Sequence, residues 1–136
     1  MSSSAGIIII GDEILSGRTK DTNINWIANE LNELGIKLKE ARVIEDDKKT
    51  IINTVLEFSK KFTYVFTSGG IGPTHDDITT ESIAAAFKVD LEKNKIAMNL
   101  LKKHYEKSNI DFNEARQKTV SYTNLRAHET VVHLVC

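Results

Sequence analysis

The chain has 136 residues, about one domain's worth, with 18 Lys and Arg against 19 Asp and Glu and a net charge of -1. With 40% hydrophobic and 27% charged residues it reads as a soluble globular protein, which excludes global disorder. Without net positive charge it lacks the basic surface that sequence-independent nucleic-acid binding needs, so no nucleic-acid partner is expected. The apolar run over residues 5–10 is too short to span a bilayer, and no basic segment precedes it as in a signal peptide. The one cysteine, Cys136, can form neither an intrachain disulfide nor a cysteine zinc cluster. A cytoplasmic protein with no membrane partner is the default expectation.

Strands and helices take turns along the chain. Residues 5–10 are continuously apolar and β-branched, as in a strand covered on both faces. From Thr22 to Leu34 the positions Ile24, Ile27, Ala28, Leu31 and Leu34 repeat at helical spacing, and Gly35 stands where a terminating glycine belongs. Trp26 lies at the edge of that stripe and is read as packing. Residues 36–44 form a second strand. Asp46 or Asp47 then caps a helix with the stripe Ile51, Ile52, Val55 and Leu56, ending near Lys60 and Lys61, where cations suit the helix dipole. Residues 62–67 read as a third strand, rich in aromatic and β-branched residues. A glycine-rich loop over 68–77 leads into a helix over 78–87. A further helix over 95–107 is expected to pack Ile96, Leu100, Leu101 and Tyr105, with His104 at or near the surface. A short one starts at Asp111, with Glu114 placed for a capping box. Such alternation predicts right-handed crossovers and a mostly parallel sheet with helices on both faces, an α/β three-layer sandwich.

The tail reads differently. From Val120 the text Val-Ser-Tyr-Thr-Asn-Leu-Arg-Ala-His-Glu-Thr resembles the translation of a transposon-type sequencing adapter, with one residue different. The expectation is a native domain over residues 1–118 and a non-native tail over 119–136, which holds His128, His133 and Cys136. The alternative is a real C-terminal strand, since residues 131–135 are β-like.

In an open parallel sheet, ligands bind beyond the carboxyl ends of the strands, and two polar clusters fall there. The first, after strand one, offers Asp12, Glu13, Ser16, Asp21 and Asn23. Capping explains Asp21 and Asn23 equally well, whereas Glu13 directly follows a buried strand and faces the sheet's edge. The second runs Thr67-Ser-Gly-Gly-Ile-Gly-Pro-Thr-His-Asp-Asp77. Gly69, Gly70 and Gly72 allow positive φ and close approach of the backbone to a phosphate. Thr67, Ser68 and Thr74 add hydroxyl donors. Asp76 and Asp77 are hard oxygen ligands suited to Mg²⁺ beside phosphates, although Asp77 could as well cap the next helix. His75 is a candidate acid/base or a solvated loop histidine. The loop is neither a Walker A sequence nor a dinucleotide fingerprint.

Gly11-Asp-Glu-Ile-Leu-Ser-Gly17, Asp21-Thr-Asn23 and Thr67 to Thr79 resemble the competence/damage-inducible protein A family. Its N-terminal domain belongs to the molybdopterin-binding, molybdenum-cofactor-biosynthesis superfamily, shared with MoaB/Mog proteins and eukaryotic FAD synthases. Phe112-Asn-Glu-Ala-Arg-Gln-Lys118 also resembles the family's next segment; family members then continue with a Pro-rich stretch and a second Gly-Pro loop, from which this chain departs. The resemblance implies a MoaB/Mog fold, C-terminally truncated, and a homo-oligomer when full length. It implies a phosphorylated ligand, molybdopterin or an ADP-ribose-like nucleotide, held by Gly69, Gly70, Gly72 and Thr74 with Ser68, Asp21 and Asn23. Asp76 and Asp77 would carry Mg²⁺ or another divalent metal and, with Glu13, hydrolyse an ADP-ribose-type pyrophosphate. A non-catalytic binding module and an inactive fragment are the alternatives.

Overall fold

A computed structural model describes residues 3–93, 95–111, 113–117, 121–123 and 131–134. Among them, β1 (Ser4–Ile10), α1 (Asp12–Leu15), α2 (Asn23–Glu33), β2 (Lys37–Ile44), α3 (Lys48–Lys61), β3 (Tyr64–Ser68) and α4 (Thr79–Phe87) follow in chain order. After them come β4 (Leu91–Lys93), α5 (Lys95–Ser108), α6 (Glu114–Gln117), β5 (Ser121–Thr123) and β6 (Val131–Leu134). The main sheet has the order β2-β1-β3-β6 with every pair parallel, and β4 and β5 form a separate antiparallel pair.

β1 is the middle of the core because its side chains alternate between two apolar layers. Ile8 and Ile10 meet Ile44, Ile51, Val55, Phe58, Val65 and Ile83 on the α3 and α4 face. Ala5, Ile7 and Ile9 meet Ile27 and Leu31 of α2 on the other. The result is the expected three-layer α/β sandwich. Its unbroken apolar strand is explained by cover on both faces.

Local signals set the element ends. At the end of α2, Gly35 takes φ 73° while its N–H donates to Asn32 O and that of Ile36 to Leu31 O, a Schellman closure. Asp47, not Asp46, caps α3 by accepting from the Thr50 N–H at 2.9 Å. Asn113, not Asp111, caps α6, taking the Arg116 N–H at 3.0 Å, so Glu114 falls at the first helical position and no capping box starts from Asp111.

Four packing expectations are corrected. Trp26 is 55% exposed, because Ile24, Ile27 and Leu31 turn the other side of α2 to the sheet. In α3 the buried stripe is Ile51, Thr54, Val55 and Phe58, leaving Ile52 and Leu56 only half-buried. Phe58 packs edge-on against Phe62 and carries the Arg42 guanidinium 4.9 Å above its ring. In α5, Ile96 is 75% and Leu100 65% exposed, and Leu101 and Tyr105 are half-buried, so its apolar face is not covered by the described residues. Leu34 lies past the last turn of α2 and is exposed.

β6 pairs with β3 from Val65–Val131 to Ser68–Leu134. Phe112, Lys118, Val120, His128, Val135 and Cys136 lie outside the described residues. Among the described residues no helix is long and apolar enough to cross a membrane.

Candidate functional site

The loops after β1 and β3 converge at the carboxyl edge of the sheet and enclose a cavity of about 350 Å³. The β1 loop contributes Glu13, Thr19, Lys20, Asp21 and Asn23, and the β3 loop Ser68, Gly69, Gly70, Ile71, Gly72 and Asp77. The two loops are tied by Asn23 Nδ2 donating to Ser68 Oγ. A second cavity of about 420 Å³ shares Glu13, Gly70 and Asp77 with the first and adds Asp12, Arg18, Asp46, Thr74 and Asp76. The structure therefore brings Glu13, Asp21, Asn23, Ser68, Gly69, Gly70, Gly72, Thr74, Asp76 and Asp77 to two neighbouring compartments, whereas Ser16, Thr67 and His75 line neither.

The glycine loop owes its shape to left-handed backbone at φ 97° for Gly69 and 68° for Gly70. A Cβ on Gly69 would sit 2.1 Å from Ile10 O, and one on Gly70 2.1 Å from Thr79 Oγ1. Gly72 departs from expectation: it has no positive φ, and what its missing Cβ leaves room for is the Asp77 carboxylate. Thr79, fully buried at the start of α4, holds the loop through its N–H on Gly70 O at 2.9 Å and its hydroxyl on Gly69 O at 2.7 Å. Sequence reading passed over Thr79 because nothing in its own neighbourhood marks a threonine that bonds ten residues back.

Asp77 is not a helix cap. Its Oδ2 accepts the Thr74 N–H at 3.0 Å and the Thr74 hydroxyl at 2.8 Å, closing the loop on itself, while Ile78 holds the N-cap position of α4 without a side-chain cap. Asp76 is largely exposed and meets His75 Nε2 at 3.2 Å. His75 itself is 93% exposed and lines neither cavity, as a solvated loop histidine does. Asp21 works as a cap, its carboxylate accepting from the N–H groups of Asn23 and Ile24 at 3.2 and 3.0 Å. Glu13 is half-buried at the wall common to both cavities.

Asp46, read from sequence only as a possible helix cap, belongs to the second cavity. Burial pushes its carboxyl above the ordinary aspartate value, and Asp12, Glu13 and Asp77 push the same way, against the Asp12 N–H that it accepts. Lys20 and Arg18 are the cations of the two linings and were likewise not singled out. Among the described residues no three His, Cys, Asp or Glu side chains are arranged to hold a metal by themselves.

The family described as a probable molybdopterin binding domain matches residues 6–134. A protein of Sulfurisphaera tokodaii is 40% identical over 115 residues, covering 84% of this chain and 44% of that protein, so the chain spans under half of this relative's length. Among solved structures, a CinA protein with unknown function from Thermoplasma acidophilum superposes with a TM-score of 0.85 at 28% identity, covering 98% of this chain and 88% of its own. The tungsten cofactor synthesizing protein MoaB from Pyrococcus furiosus does so with a TM-score of 0.65 at 25% identity, covering 98% and 82%. A parallel sheet whose glycine loop sits at its carboxyl edge, and a family match over nearly the whole chain, lead to one assignment: the chain belongs to the molybdopterin-binding domain family, as a CinA-like member with the MoaB/Mog fold.

Proposed function

We propose that the domain binds a phosphorylated small molecule, of molybdopterin or ADP-ribose type, with its anionic group on the glycine loop after β3. The observation that carries this reading is the pair Gly69 and Gly70, both left-handed and both lining the 350 Å³ cavity. Consecutive backbone amides in such a conformation form a concave donor surface for an anion. Ser68, Asn23 and Lys20 line the same cavity, and Lys20 adds the cation a phosphoryl group favours. A volume near 350 Å³ suits a small organic ligand. Calorimetric titration with molybdopterin and with ADP-ribose tests it: saturable binding is expected, and no heat with either ligand overturns the reading.

Hydrolysis of an ADP-ribose-type pyrophosphate is the finer proposal. Asp76 and Asp77 would hold a divalent metal, which when bound supplies charge neutralisation at a phosphoryl oxygen. Glu13, at the wall shared by both cavities, would face the reacting group. Conversion of ADP-ribose and water to AMP and ribose 5-phosphate should then require Mg²⁺, stop with EDTA, and fall in Asp76→Asn and Asp77→Asn without matching losses of stability. A binding module without turnover is favoured by one observation: Oδ2 of Asp77 takes both Thr74 bonds, which leaves that carboxylate a single oxygen for a metal. Tight binding with no turnover would establish that second reading.

A further inference from the structure

We infer that Thr79 is the positioning residue of the glycine loop, turning two main-chain N–H groups toward one anionic oxygen. It rests on the reading of that loop as an anion cradle and names what sets the cradle's geometry. The Thr79 hydroxyl donates to Gly69 O at 2.7 Å and the Thr79 N–H donates to Gly70 O at 2.9 Å, so one residue holds two successive carbonyls. In a trans peptide the C=O and the following N–H point in opposite directions, and the described residues contain no cis peptide. Holding the carbonyls of Gly69 and Gly70 toward α4 therefore turns the N–H groups of Gly70 and Ile71 away from it. Among the described residues neither of these N–H groups has a hydrogen-bond partner, and both residues line the 350 Å³ cavity.

Gly70 and Ile71 are half-buried at the cavity wall, so their two adjacent N–H groups, left without a protein partner, are open to an acceptor from outside the chain. A phosphoryl or carboxylate oxygen is the matching chemistry. Thr79 can set this geometry because it is itself immobile: it is 0% exposed, it opens α4, and Gly70 is packed so closely that a Cβ there would lie 2.1 Å from the Thr79 hydroxyl. The hydroxyl acts through the Gly69 carbonyl and the main-chain N–H through that of Gly70, so Thr79 is a positioning residue.

The test compares the parent chain with Thr79→Val, which keeps the volume and loses the donor, and Thr79→Ser, which keeps the donor. Amide ¹⁵N order parameters for Gly70, Ile71 and Gly72 are one readout, and calorimetric affinity for ADP-ribose and for inorganic phosphate is the other. The expected result is a rigid loop near 0.85 in the parent and Thr79→Ser, falling below about 0.6 in Thr79→Val at a similar melting temperature. Affinity should weaken about tenfold or more in Thr79→Val and return in Thr79→Ser. A folded Thr79→Val with an ordered loop and parental affinity overturns the inference. A Thr79→Val that does not fold while Thr79→Ser does also overturns it, by making the hydroxyl a determinant of the whole fold. A parent that binds neither probe counts against the ligand reading of the preceding subsection, while the order parameters still decide whether Thr79 sets the loop.

Discussion

Asp12 and Asp46 exchange main-chain amides across the top of the sheet: the Asp12 N–H donates to Asp46 Oδ2 at 3.0 Å, and the Asp46 N–H returns to Asp12 Oδ1 at 3.1 Å. The pair links the loop after β1 to the loop after β2 and sets two carboxylates side by side. The Asp46 carboxyl lies above its ordinary value, first through burial and then through the charges of Asp12, Glu13 and Asp77. A raised carboxyl in the folded state favours folding most below the unfolded value and loses that advantage as pH rises through the folded one. Asp46→Asn keeps an oxygen to accept the Asp12 N–H and removes the charge. It should melt higher than the parent at pH 7, and the difference should shrink as pH falls below the ordinary 3.8. Melting curves across that range check the sign.

Glu40 titrates with the opposite sign. Lys61, at 2.8 Å, and then Arg42 hold its carboxyl below the usual 4.5. The stability it adds is present above that value and lost as pH falls through the folded one. Glu40→Gln should therefore lower the melting temperature at pH 7, with the gap closing in acid and narrowing in high salt.

Gly35 and Gly70 share a left-handed backbone, at φ 73° and 68°, but differ in surroundings. A Cβ at Gly35 meets nothing within 4 Å, whereas one at Gly70 meets Thr79 Oγ1 at 2.1 Å. Gly35→Ala should cost about 1–2 kcal/mol, the left-handed penalty alone. Gly70→Ala should cost about 2–4 kcal/mol, with overpacking added. Urea unfolding of both variants separates the two contributions, and equal losses would contradict the close contact.

Lys88 closes α4 at φ 54°, in the place where Gly35 closes α2. Its N–H donates to Ala85 O at 3.3 Å and that of Val89 to Ala84 O at 3.0 Å, the same closure with a side chain in the left-handed position. Lys88→Gly should stabilise the chain by about 0.5–1 kcal/mol, relief of strain outweighing glycine's backbone entropy. A denaturation midpoint that falls instead would locate an interaction of the lysine side chain.

Residues 119–136 are proposed to be non-native, on their adapter-like text. Resequencing the source locus past Lys118 should yield different codons there. Recovery of the same codons from an independent library would refute the proposal.

The alternation of strands and helices, the doubly covered β1, the Gly35 closure and the two polar loops at the sheet's carboxyl edge were all legible in the chain itself. Each is written in a local pattern: a continuous β-branched run, a 3.6-residue stripe, a glycine after the last turn, or a cluster directly following a strand. Periodicity says which residues share a face but not whether another element covers it. For that reason periodicity assigns Trp26 to packing although it is 55% exposed, gives no place to Phe58, and puts Ile96 and Leu100 in a core that among the described residues does not reach them. The site divides in the same way. Gly69 and Gly70 announce themselves by residue type. Tertiary structure alone decided that Asn23 reaches Ser68, 45 residues away, and that Asp46 meets Asp12, 34 residues away. It also decided that Asp77 turns back to Thr74 and that Thr79 holds the carbonyls of two glycines. The first two are contacts between loops that parallel β1, β2 and β3 bring to one edge of the sheet, so they depend on which strands lie next to each other; the last two lie within the loop after β3 and follow from how that loop folds back on the start of α4.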